Sequence, residues 1–141
     1  MPDITFDQAL GLVIDELTAD RCTGHVDVTD GLKQPYGIVH GGVYCSIVET
    51  LGSVAGAAWA AGNGFFGAVG VHNSTDFIRS VRDGTIVGVA TPIHRGRTQQ
   101  LWVIDLTRRS DGEQVARGQL RLQNINAEQV AAAEAAAPTG S

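Results

Sequence analysis

Apolar and polar residues alternate with a period of two near the start of the chain and again over its second half. Gly24, Val26 and Val28 alternate with His25, Asp27 and Thr29, so residues 12–19 and 21–28 are expected to be two strands with a turn near Asp20. Phe6 to Gly11 reads as a short helical lead-in. Asp30-Gly31-Leu32-Lys33-Gln34-Pro35-Tyr36-Gly37 is dense in turn formers and reads as a loop. Residues 65–79, 85–94, 99–109 and 114–125 are rich in Val, Ile, Leu, Thr and aromatics, and Asp83-Gly84, Arg95-Gly96 and Asp111-Gly112 separate them as turns. The Ala- and Glu-rich stretch from Ala127 is expected to begin as a helical turn and then fray. This gives one domain over residues 1–126 and a partly disordered tail over 127–141.

Only residues 40–61 carry a long helical pattern. At 100° per residue, Val43, Tyr44, Ile47, Leu51, Val54 and Ala58 fall on one side. Gly42, Cys45, Ser46, Glu49, Gly52, Ser53, Gly56 and Ala60 fall on the other. Each internal glycine costs up to ~1 kcal/mol of helix propensity relative to alanine, so a small-residue face implies close approach by something. A second copy of the helix, antiparallel, fits that face. Glu49 is the only charged residue between Gly41 and Ala61. Two strands before one helix and four after it imply an α+β domain, a six-stranded, mainly antiparallel sheet packed on the helix. A doubly wound parallel sheet is excluded, because no crossover helices separate the last four strands.

Composition narrows the partners. The 141 residues are 43% hydrophobic and 18% charged, enough for a packed core. Ten basic against fifteen acidic residues give a net charge of −5, which speaks against nucleic acid or an anionic membrane as the main partner. No uninterrupted apolar run reaches the ~18 residues of a membrane span. The acidic start, Met1-Pro2-Asp3-Ile4-Thr5-Phe6-Asp7, does not resemble a signal peptide. Cys22 and Cys45 form neither a CxxC pair nor a disulfide framework. A cytoplasmic location is expected.

The candidate chemistry clusters around the helix start. His40-Gly41-Gly42 leads directly into it, and the first N–H groups of a helix lack intrahelical acceptors, so they can bind an anion or a developing oxyanion. The same residues also suit an ordinary glycine-containing helix start capped by histidine. Glu49 follows His40 by nine residues, ~13 Å along the axis and on the opposite face. One chain therefore cannot easily bring both to one site, whereas two antiparallel helices can. Ser53 lies one turn beyond Glu49 on its face. Gln34, on the loop before His40, has an amide able to donate to a carbonyl oxygen, and a loop glutamine equally suits a plain surface position. His94-Arg95-Gly96-Arg97-Thr98-Gln99 puts two arginines on a turn, suited to phosphates or simply to a solvated hairpin tip. No spacing of His, Cys, Asp or Glu suggests a metal, and no G-x-S-x-G nucleophile motif is present.

Taken together, Gln34-Pro35-Tyr36-Gly37-Ile38-Val39-His40-Gly41-Gly42, Glu49-Thr50-Leu51-Gly52-Ser53, Asn73, and Pro92-Ile93-His94-Arg95-Gly96-Arg97 followed by Trp102 resemble the hotdog-fold acyl-CoA thioesterases, in particular the PaaI-like branch that includes the thioesterases of phenylacetate, 4-hydroxybenzoate, enterobactin and menaquinone metabolism. The likeness runs over roughly residues 10–125. It implies a long central helix wrapped by a curved sheet, a homodimer or dimer of dimers, and active sites between subunits. It further implies Glu49 as nucleophile or general base, Gly41 N–H as the group polarising the thioester carbonyl, Gln34 and His40 as orienting groups, and Ser53 as an assistant to Glu49. Gly42, Asn73, Asp76, Arg95, Gly96, Arg97 and Thr98 would contact substrate or coenzyme A. Relatives often carry His where this chain has Asp76, which departs from the pattern. Coenzyme A enters as part of the substrate, with no other cofactor and no metal. The implied reaction is hydrolysis of an acyl-CoA with an aryl or fused-ring acyl group, such as 1,4-dihydroxy-2-naphthoyl-CoA. A hotdog hydratase or dehydratase and a non-catalytic acyl-CoA-binding domain are the alternatives.

Overall fold

The computed structural model describes residues 2–138. The expected elements form close to their sequence boundaries. They are α1 (Phe6–Leu10), β1 (Leu12–Leu17), β2 (Cys22–Asp27), α2 (Gly41–Gly62), β3 (Gly67–Phe77), β4 (Thr85–Arg95), β5 (Gln99–Arg108), β6 (Gln114–Ile125) and α3 (Ala127–Ala136), with one 3₁₀ turn at Asp30–Leu32 inside the expected loop. The six strands form one antiparallel sheet in the order β1-β2-β4-β5-β6-β3. It wraps α2 so that Ile47, Leu51, Ile86, Ile104, Leu106, Leu120 and Leu122 are fully buried.

One connection differs from a run of hairpins. β3 does not turn back onto β4 but pairs with β6 at the far edge of the sheet. Residues 78–84 carry the chain across the end of the domain, where Val39 N–H donates to Val81 O at 2.8 Å and the Val81 side chain is buried. Gly84, at φ 85°, then turns the chain into β4, and its carbonyl accepts from Val28 N–H at 2.8 Å. The Asp83-Gly84 turn thus joins β4 to its β2 neighbour. Among the described residues, β3 is left with one unpaired edge over eleven residues.

The tail is more ordered than a fraying turn over its first part. Asn126 and Gln129 form a reciprocal cap, and α3 runs for ten residues with none buried. Residues 139–141 of the expected disordered tail lie outside the described residues.

The small residues of α2 require a correction. Gly52 and Gly56 are buried, and they face the sheet of their own chain. A Cβ at Gly52 would stand 2.6 Å from Leu120 Cδ2, and one at Gly56 would stand 2.5 Å from Leu122 Cδ1 and 2.9 Å from Gln100 Oε1. The sheet curls around the helix, so Gly52 and Gly56, which project onto a second face, lie beneath β5 and β6. Ala60 is buried with them, whereas Ala58 is exposed. Gly42, Cys45, Ser46, Glu49 and Ser53 form the strip that stays open. Gly56→Leu is therefore expected to destabilise the fold itself through overpacking, by ~1–3 kcal/mol or more. Urea unfolding with an unchanged midpoint would contradict this packing. By length and hydropathy α2 also passes as a membrane span, but Val43, Tyr44, Ile47, Val48 and Leu51 are buried in the domain core.

Candidate active site

Glu49 projects from the middle of α2 toward β3, and both are shaped to hold it. A Cβ at Gly70 would collide with the carboxylate, so glycine is what permits the strand to lie against it. The β3–β6 register shifts between Gly70 and His72. Three residues after Gly70, Asn73 Nδ2 donates to Cys45 O at 2.9 Å and lies 3.4 Å from Glu49 Oε2. Thr75 Oγ1 in turn donates to Asn73 Oδ1 at 2.7 Å. Ser53 sits one turn along the same open strip and makes no hydrogen bond to Glu49 among the described residues.

The helix start forms a separate centre. His40 caps α2, its Nδ1 accepting from Gly42 N–H at 2.8 Å, while Val43 N–H donates to His40 O at 2.9 Å. Gly41 N–H has no acceptor among the described residues. The two glycines meet different neighbours. A Cβ at Gly42 would stand 2.9 Å from His40 Nδ1, and one at Gly41 would enter the ring of Phe77. Gly41 opens onto a cleft of about 290 Å³ shared with Gln34, Ile38, Tyr44, Phe77 and Arg79. Gln34 Oε1 accepts from Tyr36 N–H, which leaves the Gln34 NH₂ free to donate. Tyr44 donates its hydroxyl to Arg79 O at 3.2 Å, and burial pushes its phenol above the ordinary value, so it stays neutral at physiological pH. The His40 ring lies on the other side of the helix start, in a groove of about 420 Å³ with Phe6, Leu10, Leu32, Gly42 and Ser46. Gln34 and Gly41 are thus brought together, and His40 is separated from them by the helix end it caps.

Glu49 is remote from both. Eight residues of helix, about 12 Å, separate it from Gly41. Both centres nevertheless lie against β3, one at Gly70 and the other at Phe77.

The turn after β4 divides its two arginines. Arg95 donates to Asp20 Oδ1 at 2.8 Å and Ala19 O at 2.9 Å, and its guanidinium lies 5.7 Å from the Trp59 ring and 5.8 Å from the Trp102 ring. Arg97 and Thr98 are exposed, and Arg97 forms no ion pair among the described residues. Gly96 O accepts from Asn124 Nδ2 at 2.9 Å, tying the turn to buried Gln100 and, through Gln100 Nε2, to Gly56 O. Asp76 is exposed beside Arg117, away from Glu49. No group of three His, Cys, Asp or Glu suited to a metal occurs among the described residues.

Residues 36–115 match the thioesterase superfamily. The chain belongs to that family. This hotdog thioesterase-family member superposes on the solved structure of a Mycobacterium tuberculosis protein named a "putative esterase", Rv1847, with a TM-score of 0.83 and 48% identity, covering 86% of this chain and 97% of that one. It is 38% identical to 1,4-dihydroxy-2-naphthoyl-CoA thioesterase 2 of Arabidopsis thaliana, over 74% of this chain and 68% of the relative. Against the 1,4-dihydroxy-2-naphthoyl-CoA hydrolase of Escherichia coli the identity is 32%, over 69% of this chain and 70% of the relative. The α+β fold read from the residues, a long helix wrapped by a six-stranded antiparallel sheet, is the one found here and matched by the Mycobacterium tuberculosis structure.

The pattern of candidate residues was incomplete. Gly70, Thr75 and Phe77 touch the two centres and were not among the candidates. The signal for Thr75 was its place two residues from Asn73, on the same strand face. Nothing short of the fold brings Gly70 to Glu49, or Phe77 to Gly41.

Proposed function

We propose that this protein hydrolyses an acyl-CoA thioester carrying an aryl or fused-ring acyl group, in a site shared by two subunits. The observation that carries the reading is the pairing of a held carboxylate, Glu49, with an unoccupied helix-start N–H, Gly41, both against one strand with a free edge. An eleven-residue unpaired edge is an open template for another strand, and β3 also exposes Val69 and Val71. Antiparallel pairing of β3 with its own copy about a two-fold axis between Asn73 and Ser74 brings Gly70 opposite Phe77 of the partner subunit. Glu49 of one subunit then faces the cleft that holds Gln34 and Gly41 of the other.

The chemistry follows from the groups. Glu49 removes a proton from water, and the hydroxide adds to the thioester carbonyl carbon. The negative charge that develops on oxygen is met by Gly41 N–H and by the free NH₂ of Gln34. The C–S bond breaks, the carbonyl re-forms as the acid, and the sulfur leaves as thiolate. A thiol has a pKa near ~8.5, so the leaving group needs little protonation and no Ser–His or Cys–His pair is required. Arg97 and Thr98 suit the phosphates of coenzyme A, since Arg95 is committed to Asp20 and the two indoles. The fused-ring preference is supported by the two relatives named for dihydroxynaphthoyl-CoA.

Free-thiol release from a panel of aryl, fused-ring and straight-chain acyl-CoA thioesters tests the reading. The highest kcat/KM is expected with the aryl and fused-ring members. No thiol release from any of them, or hydration of crotonyl-CoA in its place, would contradict it.

A further inference from the structure

We infer that Thr75 is a positioning residue for Glu49, its hydroxyl acting through the Asn73 amide; this rests on Glu49 being the base proposed above. The Asn73 amide has two ends with opposite needs. Its NH₂ faces two acceptors, Cys45 O at 2.9 Å and Glu49 Oε2 at 3.4 Å. Its oxygen faces the Thr75 hydroxyl at 2.7 Å. Rotating the amide by half a turn would point an oxygen at a carbonyl and a carboxylate, so the amide has one acceptable orientation, and Thr75 supplies the donor that orientation requires.

The strand next door makes room for that hydroxyl. Thr75 is directly opposite Gly118 of β6, and a Cβ at Gly118 would stand 2.6 Å from Thr75 Oγ1 and 2.7 Å from Val48 Cγ2. On the other flank, Gly70 leaves the space that the Glu49 carboxylate occupies. Two glycines, one amide and one hydroxyl therefore define where the carboxylate sits. Cys45 O belongs to the turn of α2 preceding Glu49, so the same amide also locks that turn to β3. Asn73 and Thr75 do not line the Gly41 cleft of their own chain, and both act on the carboxylate, so their effect falls on the base and not on carbonyl binding.

The test measures kcat and KM for thioester hydrolysis with T75V, T75S and N73D, together with urea unfolding of each. T75V keeps the shape and removes the donor; kcat is expected to fall about 10- to 100-fold through misplacement of the base, with KM within about twofold. T75S restores the donor and is expected to keep kcat within about threefold of wild type. N73D places an oxygen where the NH₂ now stands, and a loss at least as large as that of T75V is expected, so it carries the test should T75V not fold. Wild-type kcat in T75V or in N73D overturns the proposal, as does a T75S variant as impaired as T75V, which would assign the effect to packing. E49Q is run alongside. A fully active E49Q removes Glu49 as base and refutes the reading beneath, whereas an inactive E49Q with unimpaired T75V refutes only the role of Thr75.

Discussion

Glu49→Gln is expected to lower kcat by on the order of 10²–10⁴-fold, the range for loss of a general base, or about 3–5 kcal/mol of transition-state stabilisation. Glutamine has the shape of glutamate, so the cradle at Gly70 remains filled and the strand stays in place. Its amide oxygen can still accept from Asn73 Nδ2, which now lies 3.4 Å from Glu49 Oε2. What is lost is the capacity to take a proton from water. KM is expected to change little, because the carbonyl is proposed to bind at the partner's helix start, and the urea midpoint should move little. Steady-state kinetics with the best thioester of the panel reads the effect. Turnover near wild type would remove Glu49 from the chemistry.

Mixing two inactive variants is expected to restore activity. Glu49→Ala removes the proposed base, and Gln34→Ala/His40→Ala disables the cleft and the cap of α2. A heterodimer of the two has one site with both defects and one with neither. With random exchange half of the dimers are mixed and half of their sites are intact, so recovery should approach about one quarter of wild-type activity. The distance behind this expectation is the rise of a helix, since Glu49 and Gly41 lie about 12 Å apart on one rigid α2. Native mass spectrometry reports whether mixed dimers have formed. Mixed dimers without recovered activity would mean that each chain houses a complete site, whatever the reaction is.

The strands and the long helix were legible because alternation and helical spacing are local properties, and the bounds of α1, α2 and the six strands lie within a few residues of their expected places. The path from β3 to β4 was not legible. A turn signal at Asp83-Gly84 says that the chain reverses there, but not which strand lies alongside afterwards. The faces of α2 were half legible for a related reason. Projection at 100° per residue correctly separates Leu51 from Glu49, but it assumes one buried side, and a curled sheet buries Gly52 and Gly56 as well. At the candidate site, Glu49 stood out as the one charge on a small-residue helix face, whereas Gly41 and Gln34 gained their roles from the family resemblance. Thr75 did not stand out, because threonine in a strand is ordinary, and its meaning depends on Asn73 beside it and Gly118 across from it. Arg95 and Arg97 looked equivalent in sequence, and only the partners Asp20, Trp59 and Trp102 distinguish them.

The seating of Arg95 has a spectroscopic consequence. Trp59 and Trp102 are the two tryptophans of the chain, and both rings lie within 6 Å of the same guanidinium. Tryptophan emission therefore comes entirely from one corner, where the C-terminal part of α2 meets the turn bearing Arg97. One indole is fully buried and the other partly open to solvent, and a cation sits against both. The protein thus carries a label-free optical probe trained on the surface where the phosphates of its substrate are proposed to rest.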